Sequence, residues 1–107
     1  MEKSIKKTKW TNPAKKDLRN IFEYLSQFSK NAALRVINKI LDKVELLEEG
    51  FTEIGQQEPL LEHKPDVYRY LVEGNYKIIY RVKGRRVIIA TVFDVRQNPD
   101  KLEKIVD

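Results

Sequence analysis

Four cations set along strand-like segments, Arg69, Lys77, Arg81 and Arg96, are the side chains of this 107-residue sequence best suited to chemistry. Successive residues of a strand point to opposite faces, so Lys77, Ile79, Arg81 and Lys83 share one face, and Tyr76, Ile78, Tyr80 and Val82 the other. Pairing across a turn at Glu73, Gly74 and Asn75 would add Arg69 to the basic face, with Arg96 just beyond the next strand. Tyr68 and Tyr70, which interleave with Arg69, would then point into the core. Four converging cations would form an anion site for a phosphate backbone or a row of carboxylates, the arginines adding planar bidentate contacts. The same alternation also describes ordinary solvated residues on a half-exposed sheet.

His63, beside Glu62 and Lys64, is the one side chain whose unperturbed pKa lies near neutrality, and it reads either as a general base or as a plain loop histidine. Glu48 and Glu49 fall at the end of a helical pattern, where carboxylates are most simply solvated. The chain has no Ser-His-Asp spacing and no glycine-rich phosphate loop. With a single histidine and no cysteine, thiol chemistry and disulfides are excluded, and neither a metal nor a cofactor is expected.

The elements that must position these residues follow from periodicity. Residues 4–10 alternate weakly around Ile5 and Trp10, as an edge strand does. Asn12, as a cap, and Pro13 mark a helix start. Ala14, Leu18, Ile21, Phe22, Leu25 and Phe28 then recur at steps of three and four. Ser29 caps a second helix carrying Ala33, Val36, Ile37, Ile40, Leu41, Val44 and Leu47, which stops at Gly50. Residues 51–66, punctuated by Gly55, Pro59 and Pro65, read as a loop tacked down by Leu60 and Leu61. Three strands follow, over 67–72, 76–83 and 86–93, and Asn98 and Pro99 open a short last helix with Leu102, Ile105 and Val106 on its apolar side.

The expected fold is α+β, in the order β, α, α, β, β, β with a short C-terminal helix. A two-helix antiparallel hairpin packs on one face of a mainly antiparallel four-stranded sheet and leaves the other face open. The length suits one domain over residues 1–107. Twenty-one basic against 16 acidic side chains give +5 and a pI near 9.4, which favours acidic partners. The start, MEKSIKKTKW, lacks the apolar run of a signal peptide, so the expected location is the cytoplasm, away from membranes.

The ordered set of NPAKKDLRNIFEYL, a second amphipathic helix, YRYLVEGNYKIIYRV and VFDVRQNPDKL resembles the RelE/ParE superfamily of bacterial toxins. These are the toxic halves of type II toxin-antitoxin systems, often called plasmid stabilisation proteins. The resemblance implies the same element order and one of two activities. RelE-type toxins are metal-independent endoribonucleases that cut messenger RNA on the ribosome with sheet lysines and arginines; ParE-type toxins inhibit DNA gyrase. Under the nuclease reading Arg69, Lys77 and Arg96 look like the basic site residues, with His63 or Lys64 assisting. Leu71, however, stands where a lysine would be wanted, and Gln97, Asn98 and Pro99 follow Arg96 without a tyrosine. The ending VFDVRQNP and the long hairpin look closer to ParE-like members. That resemblance implies gyrase as target and neutralisation by an acidic, amphipathic antitoxin encoded by an adjacent gene. The ribosomal mRNA endoribonuclease is the alternative, and a non-toxic nucleic-acid-binding module a second.

Overall fold

Residues 6–105 are described by a computed structural model, Ile105 by its backbone alone. Ser4, Ile5 and Val106, named above as strand and helix positions, lie outside the described residues. Helix α1 runs Asn12–Ser26 and α2 Lys30–Glu48. The cap of α1 is Thr11 rather than Asn12: its Oγ1 accepts the Ala14 N–H at 3.3 Å, while Asn12 already lies within the helix. Ser29 caps α2 as expected, accepting from Ala32 N–H at 3.2 Å. Phe28 lies past the end of α1, 73% exposed, with its ring edge-on to Tyr24 at 5.5 Å, so it extends the apolar stripe no further. Leu41 is likewise exposed on α2.

The sheet has five strands in the order β1-β5-β4-β3-β2, where β1 is Lys7–Trp10, β2 Gln56–Gln57, β3 Arg69–Glu73, β4 Tyr76–Lys83 and β5 Arg86–Asp94. The pair β1 and β5 is parallel and the others antiparallel. The fifth strand, β2, lies inside the segment expected to be a loop, which also holds a 3-10 turn at Pro59–Leu61. Two residues are too few to show periodicity, and the pairing is set by β3. A final helix, α3, spans Asp100–Ile105.

Two cores sandwich the sheet. On the helical side Ala14, Ile40, Val44 and Leu47 pack on Tyr76, Ile78, Tyr80, Val87, Ile89 and Val92. The opposite face is not open: Leu61 from the 3-10 turn and Leu102 from α3 cover Tyr68, Ile79, Ala90 and Phe93. Ile79 and Phe93 are too large and apolar to leave in water, so the 51–66 segment and α3 fold across them. The strand β5, like β4, serves both cores, and the extra residue it carries opposite the Ile79/Tyr80 step of β4 resets which of its side chains face which side. Ile89 and Val92, three apart rather than two, therefore both face the helices.

Tyr80 ties the covering segment to the sheet. Its hydroxyl donates to Thr52 O at 2.6 Å and accepts the Gly55 N–H at 3.2 Å, with the side chain fully buried. Gly55 is required by proximity, since a Cβ there would lie 2.5 Å from Tyr80 Oη and 2.8 Å from Tyr70 O. Gly55→Ala is expected to cost about 2 kcal/mol through overpacking, and Tyr80→Phe about 1–3 kcal/mol through the two unpaired groups it leaves. Phe28→Ser should stay within about 0.5 kcal/mol; urea unfolding midpoints check all three.

Candidate functional site

The turn between β3 and β4 decides which cations share a face. Glu73 pairs with Tyr76 across a two-residue turn, so Arg69 stands opposite Tyr80, Tyr70 opposite Ile79 and Val72 opposite Lys77. Directly opposed residues share a face, so Arg69 lies on the side of Tyr80, toward the helices. Tyr68 and Tyr70 belong to the face of Lys77, Tyr68 being buried in the second core. This reverses the expected assignment. The expectation counted Glu73 into the turn, and a register changed by one residue turns every side chain to the other face.

The side chains of Arg69, Lys77, Arg81, Arg96 and His63 each engage a partner of their own rather than one another. Arg69 donates through Nη1 to Gly55 O at 2.9 Å. Lys77 Nζ lies 3.0 Å from Glu58 Oε2 and 4.3 Å from the centre of the Tyr70 ring. Glu58 is fully buried, and its Oε1 has no hydrogen-bond partner. Arg81 Nη1 is 3.4 Å from Asp66 Oδ2. Arg96 grips Asp94 in bidentate fashion, Nε to Oδ1 at 3.0 Å and Nη2 to Oδ2 at 2.7 Å. That guanidinium holds the Asp94 carboxyl below the usual carboxylate range, and the pair raises the Arg96 pKa still further. His63 Nε2 meets Glu103 Oε1 at 2.5 Å, joining the covering segment to α3, while Lys64 N–H donates to Leu61 O. Among the described residues no group of three or more His, Cys, Asp or Glu side chains could hold a metal ion. Nor is any described helix long and apolar enough to cross a membrane.

The site that sequence reasoning missed is an open cleft of about 380 Å³ between α1 and the β4–β5 ribbon. Asp17, Ile21 and Tyr24 line it from α1, Tyr76 from β4, and Asp94 and Arg96 from the end of β5. Asp17 Oδ2 accepts from Thr91 Oγ1 at 2.5 Å and from Val92 N–H at 2.9 Å. Burial pushes its carboxyl above the usual range, against those two bonds and the nearby Lys16 charge. Burial also raises the Tyr76 phenol, with Asp94 adding to the shift. The signal for Asp17 was a carboxylate three residues after Ala14 and four before Ile21, on the apolar stripe itself.

Lys77→Ala is expected to cost about 3 kcal/mol by stranding the buried Glu58 charge, whereas Arg81→Ala should cost under about 1 kcal/mol; chemical denaturation separates them. The pH dependence runs in two directions. Asp94, held low when folded, contributes stability that is present above the ordinary carboxylate pKa and lost as pH falls through its depressed value. Asp17, held high, contributes stability that is present below the ordinary value and lost as pH rises through its raised one. Asp94→Asn should therefore flatten the acid limb, and Asp17→Asn should remove the loss on the rising limb, in unfolding curves taken from about pH 2 to pH 7.

The family model described as the ParE toxin of the type II toxin-antitoxin system, parDE, matches residues 8–99. Among solved structures, one described as the chromosomal ParDE TA system from P. aeruginosa matches with a TM-score of 0.68 at 22% identity. The match covers 84% of this chain and 96% of that one. A comparison with curated proteins finds no match.

Proposed function

The chain belongs to the ParE family of toxins from type II toxin-antitoxin systems, and on that premise we propose that it arrests growth by inhibiting DNA gyrase until a cognate antitoxin neutralises it. The observation that carries the choice of target is the dispersal of the cations. Cleaving RNA without a metal requires a base at the ribose hydroxyl and positive groups around one phosphate. Here Arg69 and Lys77 occupy opposite faces of the sheet, and Lys77, Arg81 and Arg96 are each paired with a carboxylate. Such a surface favours binding another macromolecule over breaking a bond at a single point.

The antitoxin is an amphipathic, acidic segment encoded by a neighbouring gene. The net charge of +5 attracts it, and exposed apolar residues such as Tyr24, Phe28, Leu34, Leu41 and Val72 give it anchors. A segment that orders as it binds gains affinity from those anchors after the charges have brought it in.

Induction of the chain alone in a bacterial host should stop growth, with DNA synthesis failing before protein synthesis, and the purified chain should inhibit gyrase supercoiling. Full supercoiling in the presence of excess chain overturns the target. Arrest led by loss of protein synthesis, with cuts mapped in ribosome-bound messenger RNA, would favour the endoribonuclease reading instead. Normal growth at high expression would leave a non-toxic nucleic-acid-binding module.

A further inference from the structure

The Asp17 cleft has properties that the proposed activity does not use. Asp17 receives hydrogen bonds only from neutral donors, the Thr91 hydroxyl and the Val92 amide, and no salt bridge reaches it among the described residues. Glu58, Asp66 and Asp94 each face a cation supplied by the chain itself. The Arg96 guanidinium at the rim of the cleft is taken up by Asp94, and Lys16 is exposed on α1. Asp17 is thus a half-buried carboxyl group without a bonded counter-ion, lining a cavity of about 380 Å³.

The walls narrow the choice of occupant. Tyr24 and Tyr76 offer aromatic surface beside the carboxylate, and Ile21 and Val92 are apolar. Aromatic surface next to a carboxylate suits a planar, weakly hydrated cation that stacks and donates in parallel, which describes a guanidinium better than an ammonium. Beyond Tyr24 the exposed ring of Phe28 continues the apolar surface, which gives a flanking peptide something to lie on and a free ion nothing.

We propose that this cleft receives an arginine side chain of a protein partner, whose guanidinium pairs with the Asp17 carboxylate beside Tyr24 and Tyr76. Assigning that arginine to the antitoxin rests on the proposed function; the chemistry of the cleft does not. The arginine would be a specific anchor within a partner that is acidic as a whole, fixing its register on a basic protein.

The test is a titration of the full chain, without any partner, with N-acetyl-arginine methylamide, followed by backbone amide NMR. Saturable shifts centred on Thr91, Val92 and Tyr76, with a dissociation constant on the order of millimolar, are expected for one charge-assisted contact. The matching lysine derivative should bind at least about threefold more weakly. Asp17→Asn, which keeps an oxygen for the Val92 amide, should weaken binding about fivefold or more. Tyr24→Ala, a change at an exposed position, should weaken it as well and stands as the test should Asp17→Asn fail to fold. No saturable shift, shifts spread over the surface, equal binding of the lysine derivative, or binding unchanged in the folded variants would overturn the proposal. Because the titration needs neither toxicity nor an antitoxin, its failure is distinct from the absence of growth arrest, which would sink the proposed function alone.

Discussion

The Asp17 carboxylate reaches from α1 to the backbone of β5 where that strand carries its extra residue, and the Val92 amide donates to it. A few residues away Thr11, having capped α1, places its hydroxyl 2.8 Å from Ile89 O and 2.9 Å from Ala90 O. The Thr11 cap and Asp17 of the first helix thus satisfy backbone groups around the bulge that the regular ladder would otherwise serve. The bulge lets a single strand present Val87, Ile89 and Val92 to the helices while Ala90 and Phe93 face the second core. With strict alternation from Ile89 onward, Val92 and Phe93 would exchange sides, and neither layer would close. Asp94, next along the strand, is thereby turned to the cleft side, where it meets Arg96.

The second constraint is the cover on the far face of the sheet. The segment that crosses it is held by backbone pairing of Gln56 and Gln57 with β3, by the Tyr80 hydroxyl and by the Glu58–Lys77 pair. A buried ion pair contributes little net stability relative to a well-packed apolar pair, yet it is costly to break by removing one partner. Its value here is in placement: Lys77 cannot satisfy Glu58 unless the segment lies in one register across Tyr70. The lysine that in the sequence suggests phosphate chemistry thus also serves as the counter-ion of a buried carboxylate.

Much of this was legible in the residues. The stripe of α2, its Ser29 cap, the edge position of β1 and the three-strand block follow from spacing and turn residues, because each is a local pattern repeated over several turns or pairs. What was not legible depends on single residues. Whether Glu73 ends a strand or begins a turn decides the facing of Arg69, and no periodicity over five residues settles that. The pairing of Gln56 and Gln57 belongs to β3 rather than to any preference of glutamine. Ile79 between Lys77 and Arg81 was the residue that argued against an open face, but one apolar side chain among cations is a weak signal until Leu61 and Leu102 are seen to cover it. Asp17 was hidden for the opposite reason, since its partners Thr91 and Val92 lie more than 70 positions away.

The parallel pairing of β1 with β5 has a consequence in time as well as in space. Lys7 pairs with Arg86 and Trp10 with Ile89, so the first described strand gains its only sheet partner from the last one. Loop closure between Lys7 and Arg86 must precede that pairing, which places the step late in folding and makes it slow relative to the two hairpins. During synthesis β1 leaves the ribosome long before β5 exists, and the helices that follow it have no completed sheet to lie on. The assembled surface therefore comes into being only when translation of the strand block is done, and a nascent chain cut short before Arg86 carries neither the finished sheet nor the cleft built on its final strand.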